Sequence, residues 1–527
     1  MSEARKALLG YHERSKHRLD RYAPGPGRLD WANQPDPFRE FEGAPRTRLP
    51  LAADGLAVRY DDVRRGNLPP PRAFDLESVA TLFELSLGLS AWKSHGGTRW
   101  ALRCNPSSGN LHPTEGYLAC PALPGIPAGV HHYVSRDHAL EHRAAVDDPR
   151  WNEAFGGSGI FVGLTSIHWR EAWKYGMRAW RYCQHDCGHA IAALAYAAAA
   201  LGWQARVVHS LADDALGALL GTDRAADFEG AEEEAADVLL WIGEGSPRKI
   251  VGTAPSSWHG RANRLSPSHV EWPDIGAIHR ATVKGETPEP PAFTPTPLPP
   301  PIEPALDPPF ERIARQRRSA VDFDGVTRIE AHAFFAMLES LLPRPGTPPW
   351  NALGTAPQVH PALLVHRVDG LEPGLYLLLR DPAALESMRR SLRPEWLWRK
   401  AGPDHLPLHL LLPHDLRDAA RAICCHQDIA ADSCFALGML APLESVLGEP
   451  WRYRSLYWEC GMLGHALYLE AEAAGIRATG IGCFFDDEMH RLLGVGGHAW
   501  QSLYHFTAGG PVEDWRLTTR PPYDAGG

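Results

Sequence analysis

The sequence predicts an α+β chain built from two related halves and an extended connector. Three observations predict it. Eleven prolines fall within residues 288–309 of GETPEPPAFTPTPLPPPIEPALDPPF (285–310), a run that neither a helix nor a central strand accommodates. HDCGHAIAALAYAAAALGWQA (185–205) lies over WECGMLGHALYLEAEAAGIRA (458–478) without a gap, so Asp186, Cys187, Gly188 and Gly202 fall on Glu459, Cys460, Gly461 and Gly475. Each of these segments follows a set of short apolar, strand-like stretches.

In chain order, the first half (1–242) has strand segments at about 114–120, 130–134 and 159–165, then a helix over about 178–201. That helix is Ala-rich and nearly apolar on all faces, a composition only a buried helix tolerates, and Gly202 is its stop. The connector, 243–309, favours polyproline II in its Pro-rich part, where about 3.1 Å per residue gives a reach of roughly 60 to 70 Å. The second half (310–527) repeats the pattern with strands at about 361–367, 374–379 and 407–412 and a helix over about 453–474 ending at Gly475. NLHPTEGYL (110–118) resembles QVHPALLVH (358–366), and the offset of the helices also puts Arg181 on Arg454. A buried helix in each half suggests that the halves pack through it in a pseudo-twofold arrangement.

A chain of 527 residues exceeds one hydrophobic core, which fits two domains. Net charge of −10 without a basic run argues against nucleic acid as a partner. The longest apolar stretch, AIAALAYAAAALGW (190–203), is shorter than a bilayer span, and MSEARKALLGYHERSKHR has no signal-like apolar core; no membrane partner and a soluble, cytoplasmic protein are the expectation. Nine scattered cysteines without a Cys-x2-Cys pair read as small buried apolar residues, not as a disulfide framework or zinc site. CCHQD (424–428) and FFDDEMH (484–490) hold ligand-capable side chains but no closed set, so no metal is expected.

Two segments concentrate reactive side chains. RCNPSSGNLHPTEGYL (103–118) sets hydroxyls and amides against a strand, and WKYGMRAWRYCQHDCGH (173–189) spaces Arg178, Tyr182, His185 and His189 along one helical face. That stripe reads either as a cleft lining or as a hydrogen-bond network between the halves. The symmetric Asp186 and Glu459 read as helix pairing or capping rather than acid–base groups.

With these segments in view, the sequence resembles the nitroreductase-like, FMN-binding fold, and more closely the two-domain SagB-type (azoline) dehydrogenase group, over both halves. The resemblance implies tandem duplicated nitroreductase-like domains forming an intrachain pseudodimer, with FMN held between them. Pro106, Ser107, Ser108, Asn110, His112 and Pro113 match the family motif that lies along the flavin ring, with His112 in place of Gln, and Gly109 between them lets the backbone come close to the cofactor. Arg317, Arg318 and Ser319 of RRSAVDF match the phosphate motif, with Val321 where the family commonly has a basic residue. The other combination, ERSKH (13–17) with TAPQV (355–359), is degraded, which implies one well-formed FMN site per chain.

By the same resemblance, Gly480, Gly482 and Cys483 of ATGIGCFF (478–485) face the flavin N5 side, and Arg516 and Arg520 add to the phosphate clamp. Lys174 and Tyr175 match the Lys–Tyr pair that acts as base or proton relay, and His112 stands as a third candidate for proton transfer. Guanidinium forks suit a dianionic phosphate, while serine hydroxyls and the Asn110 amide suit the donors and acceptors of the ring edge. The implied activity is FMN-dependent hydride transfer between flavin N5 and a small or modified-peptide substrate. The alternatives are an NAD(P)H-dependent nitro or quinone reductase and a non-catalytic flavin-binding protein. A monomeric pseudodimer, or a homodimer of it, is the implied assembly.

Overall fold

The computed structural model describes residues 2–146, 149–156, 158–245, 255, 257–291 and 293–523. The first half contributes β1 (Leu89–His95), β2 (Thr98–Arg103), β3 (Thr114–Cys120), β4 (Gly129–Val134), β5 (Ala139–Ala145), β6 (Gly159–Ser166), α1 (His168–Tyr175), α2 (Ala179–Ala200), β7 (Gln204–Val207) and β8 (Ala235–Gly243). The second contributes β9 (His360–Val365), β10 (Gly374–Leu378), β11 (Leu408–Pro413), β12 (Phe435–Ala441), α3 (Arg452–Ala473), β13 (Arg477–Ile481), β14 (Gln501–Gly509) and β15 (Thr518–Arg520).

The two main sheets have one topology. The first runs β5-β4-β3-β6-β8-β7 and the second β11-β10-β9-β12-β14-β13, antiparallel throughout, with short strands added at one edge of each. In both, the long helix follows the fourth strand. The expected strands and helices stand within about two residues of their expected ends, a normal uncertainty for boundaries.

Helix α2 is buried at all 22 positions because it lies between its own sheet and α3. Both helices stop where Gly202 (φ +77°) and Gly475 (φ +73°) turn left-handed. The helices approach closest at Gly188 and Gly461. A methyl group on Gly188 would strike the Trp458 carbonyl oxygen, and one on Gly461 would strike that of His185. The residues equivalent in the two halves therefore face each other at the crossing.

Both chain ends cross to the opposite half. Helix Glu3–Arg14 reaches α3 and β14, where the His12 ring hydrogen-bonds the Tyr453 hydroxyl and the Gln501 side-chain oxygen, both at 2.8 Å. The C-terminal tail leaves β14 and adds β15 to β1, and the Tyr523 hydroxyl accepts from the Leu89 amide at 2.8 Å. Of the stretch expected as connector, residues 246–254, 256 and 292 lie outside the described residues, while Pro273–Ala281 forms a helix. No helix among the described residues is long and apolar enough to cross a membrane.

Candidate functional site

A cavity of about 450 Å³ opens between the halves. One wall is the loop 105–112 that precedes β3; the facing wall is Arg317–Val321 with β13 and the two residues after it. Tyr182 and His189 of α2, Tyr468 of α3 and Tyr504 of β14 line it from the core, and Val512–Asp514 of the tail closes its rim.

The loop's shape is set by left-handed backbone at Gly109 (φ +59°), Asn110 (φ +59°) and His112 (φ +52°), which side chains must stabilise at the two non-glycine positions. Buried Asp186 accepts the Ser108 amide at 3.0 Å and the Ser108 hydroxyl at 3.0 Å. The Ser107 hydroxyl accepts from the His112 amide at 2.7 Å, and the Asn110 amide nitrogen donates to the Ala101 carbonyl at 2.9 Å. Groups expected to face a ring edge thus hold the loop itself. Burial pushes the Asp186 carboxyl up to about 7 against the pull of its serine donors. Its equivalent in the second half, Glu459, accepts the Gln358 amide at 3.0 Å, so both carboxylates anchor the loop that leads into the first core strand of their half.

Helix α1 stops at Gly176 (φ +54°), which leaves Tyr175 at its end. A methyl group on Gly109 would lie 2.5 Å from the Tyr175 hydroxyl, so the absence of a side chain there makes room for the phenol. Burial holds that phenol well above its ordinary pKa and keeps it protonated. His112 is buried with neither ring nitrogen hydrogen-bonded; burial, then the Arg103 charge, hold it well below the ordinary histidine value and therefore neutral.

The far end of the cavity is cationic. Arg317 donates to the Cys104 carbonyl at 3.1 Å and the Arg103 carbonyl at 2.9 Å, and lies over the Tyr468 ring at 4.9 Å. Arg318 donates to the Ser90 carbonyl at 3.2 Å and the Arg315 carbonyl at 2.7 Å. Burial, then the neighbouring Arg317 charge, lower Arg318 to about 10, so it stays protonated at neutral pH. Lys93 of β1 joins them, lowered by burial and then by Arg318. None of the three has an ion-pair partner among the described residues. Arg477, also lining the cavity, is paired with Glu513 at 2.5 Å.

Opposite the loop, the Tyr468 hydroxyl meets the Ser319 hydroxyl at 2.8 Å and accepts the Gly480 amide at 3.0 Å. A methyl group on Gly480 would strike the Tyr504 hydroxyl, and one on Gly482 would lie 2.5 Å from the Tyr182 ring. These glycines are required by tyrosines of the core. The polar stripe divides between the two roles: Arg178, just before α2, pairs with buried Asp486 of the other half at 3.0 Å, as neighbouring Arg181 does at 2.6 Å, while Tyr182 and His189 line the cavity.

The structure thus gathers Pro106–Asn110, His112, Tyr175, Arg317–Ser319, Gly480, Gly482 and Cys483 around one cavity. Lys174, Arg516 and Arg520 do not line it. Lys174 Nζ lies 5.2 Å from the centre of the Tyr175 ring, exposed Arg516 chelates Asp514 at 2.8 Å, and exposed Arg520 belongs to edge strand β15. Sequence reasoning missed Lys93, Arg477, Tyr468 and Tyr504. A difference between the repeats carries the signal for two of them, since Tyr468 and Arg477 stand where the first half has Ala195 and Gln204.

One expectation is corrected. ERSKH does not meet TAPQV: Lys16 pairs with Asp487 at 3.1 Å and the His17 amide donates to Asp486 at 3.0 Å, because the Asp-Asp pair of the second half attracts this basic segment. The groove equivalent to the cavity, beside β7, is instead lined by the Pro-rich segment. There Lys284 donates to the His209 carbonyl at 2.8 Å, Glu289 accepts the Ser210 amide at 2.9 Å, and the Phe293 amide donates to the Gly354 carbonyl at 3.2 Å.

Among solved structures, a putative nitroreductase from Anabaena variabilis superimposes with a TM-score of 0.69 at 22% identity, over 96% of this chain and 99% of that one. The chain shares the fold of that protein. The likeness runs through both halves. An Escherichia coli microcin synthetase complex (TM-score 0.28, 16% identity) and a putative nitroreductase from Ralstonia eutropha (TM-score 0.27, 17% identity) cover 46% and 43% of this chain and 94% and 98% of their own. No family model and no curated protein matches.

Proposed function

We propose that the two nitroreductase-like halves act as an intrachain pseudodimer that binds one FMN per chain and catalyses hydride transfer between an organic or modified-peptide substrate and the flavin. The observation that carries this reading is the set of Arg317, Arg318 and Lys93, without an ion-pair partner among the described residues, at one end of a cavity between the halves. Three cations gathered without an ion-pair partner among the described residues fit a dianionic phosphate, which guanidinium forks bind through charge-assisted hydrogen bonds. The unpartnered ring nitrogens of buried His112 fit a polar heteroaromatic neighbour in the same way.

Bound there, FMN supplies a two-electron, hydride-exchanging centre. The chain supplies the grip at Arg317, Arg318 and Lys93, the glycine-backed wall of Gly480 and Gly482, and a proton at the Tyr175 hydroxyl. Because burial keeps that phenol protonated, Tyr175 is suited to hand a proton to a substrate that is being reduced. That observation favours a second reading, an NAD(P)H-dependent reductase, for the same site. The connector across the equivalent groove supports a stoichiometry of one.

Titration of the purified protein with FMN, followed by absorbance, tests the proposal: saturation at one equivalent is expected. A colourless protein that fails to bind FMN, or saturation at two equivalents, overturns it. Anaerobic bleaching by NADH or NADPH separates the reductase from the dehydrogenase reading.

A further inference from the structure

Two carboxyl groups occupy the same position in the paired helices, and their surroundings differ. Glu459 of α3 anchors the loop before β9 and pairs with Arg380, so its negative charge is compensated inside the protein. Asp186 of α2 anchors the loop before β3 and is fully buried, yet it has no cation partner among the described residues. Anchoring alone does not account for the difference, because a buried carboxylate without counter-charge carries a desolvation cost that Glu459 avoids. A proton on Asp186 removes that cost. Burial, opposed first by the Ser107 hydroxyl and then by the Ser108 amide and hydroxyl, places its pKa at about 7.

The carboxyl is not sealed off. Its Oδ1 accepts the Ser108 hydroxyl at 3.0 Å, and Ser108 is half-buried and lines the cavity. A hydroxyl both donates and accepts, so Ser108 can take a proton on its Asp186 side while giving one up on its cavity side. The Tyr175 phenol lies against Gly109, the next residue of the loop, so hydroxyl and phenol open on one stretch of wall. The other titratable groups facing Asp186 are Glu171 and Tyr175 of α1, Tyr504 of β14, and Cys183 and Cys187 of its own helix. Burial raises all five well above their ordinary values, and none of them brings a positive charge to Asp186. Asp186 is thus the member of this set whose charge changes close to neutral pH.

From this arrangement we infer that Asp186 is the proton store of the cavity and the Ser108 hydroxyl its outlet, delivering a proton to the oxygen anion left there when a carbonyl or quinone takes up a hydride. The Asp186 O–H bond breaks as its proton passes to the Ser108 oxygen, and the Ser108 O–H bond breaks as that proton passes to the anion. Serine is unchanged, the carboxyl becomes a carboxylate, and the anion becomes a hydroxyl. The net demand is one proton per hydride, whichever of the Ser108 and Tyr175 hydroxyls touches the anion first. Both electrons arrive with the hydride from the reduced flavin, so the delivery step rests on the flavin reading above, whereas the protonated carboxyl and its contact with Ser108 do not. After product leaves, water in the cavity reloads Asp186 by the reverse path. Glu459, held ionised by Arg380, has no such part in the equivalent groove.

Infrared titration of the full-length protein without FMN tests the store. The wild type should show a protonated-carboxyl band that titrates away with a midpoint at about 7. The band should be missing from Asp186→Asn, which keeps an acceptor oxygen for the Ser108 amide, and displaced in Ser108→Ala, where the carboxyl loses a hydrogen-bond partner. Stopped-flow oxidation of the reduced FMN complex by a water-soluble quinone tests the outlet. The wild-type rate should fall about tenfold per pH unit above the Asp186 midpoint, as the protonated fraction does. Asp186→Asn should be slow with no such dependence, and Ser108→Thr, which keeps a hydroxyl, should restore the profile that Ser108→Ala loses. A carboxyl band that does not titrate near neutral pH, or a Ser108→Ala or Asp186→Asn protein with the wild-type rate and profile, overturns the inference. Failure to bind FMN would overturn the flavin reading and the delivery step together, while the infrared titration would still decide whether the store exists.

Discussion

At the scale of single residues, the cationic end of the cavity gathers Arg317, Arg318 and Lys93, none with an ion-pair partner among the described residues. Charge-assisted hydrogen bonds contribute about 1.5–3 kcal/mol each, so Arg317→Ala and Arg318→Ala should each weaken FMN binding about tenfold to a hundredfold in a fluorescence titration. Arg14 of ERSKH is exposed and engaged with Asp274. Arg14→Ala should leave affinity unchanged, and an equal loss there would contradict an asymmetric site. Asp186 makes a second prediction, from linkage. Its folded pKa of about 7 lies above the unfolded value, so the folded state holds the extra proton between them, and this group's contribution to stability declines as pH rises from about 4 to about 7. Asp186→Asn, permanently neutral, should therefore gain in melting temperature relative to the wild type as pH rises across that window. A constant difference would mean the carboxyl is ionised throughout.

At the scale of elements, α2 and α3 carry the junction between the halves. The Gly188–Gly461 contact leaves no room for a methyl group, so Gly188→Ala should cost about 1–3 kcal/mol by overpacking, read as a fall in the denaturation midpoint. The helices also carry equivalent ion pairs to the two halves: Arg181 with Asp486 at 2.6 Å and Arg454 with Asp213 at 2.7 Å. Asp486 is fully buried between two guanidiniums, Arg178 and Arg181, which win over the burial that would raise it and hold it far below the ordinary carboxylate range. Its stabilisation is present above the unfolded pKa and is lost as pH falls through the folded one. Asp486→Asn should cost about 3–5 kcal/mol because two buried cations lose their partner. The strands and helices that the repeat exposed in the sequence were legible because strong hydrophobic periodicity survives any context. Strands β7, β13 and β15 were not, since three to five residues of mixed polarity acquire their pairing only from a neighbouring sheet.

At the scale of the whole molecule, the exchange of chain ends makes each half depend on the other. The tail after Gly510 supplies rim residues to the cavity and a strand to β1, and Trp92 donates to the Pro522 carbonyl at 3.0 Å. Truncation after Gly510 should leave the two main sheets folded by circular dichroism, yet weaken FMN binding and expose β1 to limited proteolysis. Retention of full affinity would show that the rim does not contribute. The Pro-rich segment does more than span a distance: through Lys284, Thr287, Pro288, Pro290, Pro291 and Phe293 it lines the groove equivalent to the cavity, which breaks the symmetry of an otherwise repeated architecture.

What the sequence determined by itself is the repeated part: two α+β halves, the gapless register of their central helices, and the loop and arginine motifs on opposite sides of a shared cleft. Those features are local, written in periodicity, glycine stops and short motifs. Only the tertiary structure decided that Lys93, Tyr468 and Arg477 join the cavity, that the serine hydroxyls hold their own loop, and that ERSKH docks on Asp486 and Asp487. Each of these depends on which distant surfaces a buried helix pair brings together, and no run of neighbouring residues encodes that.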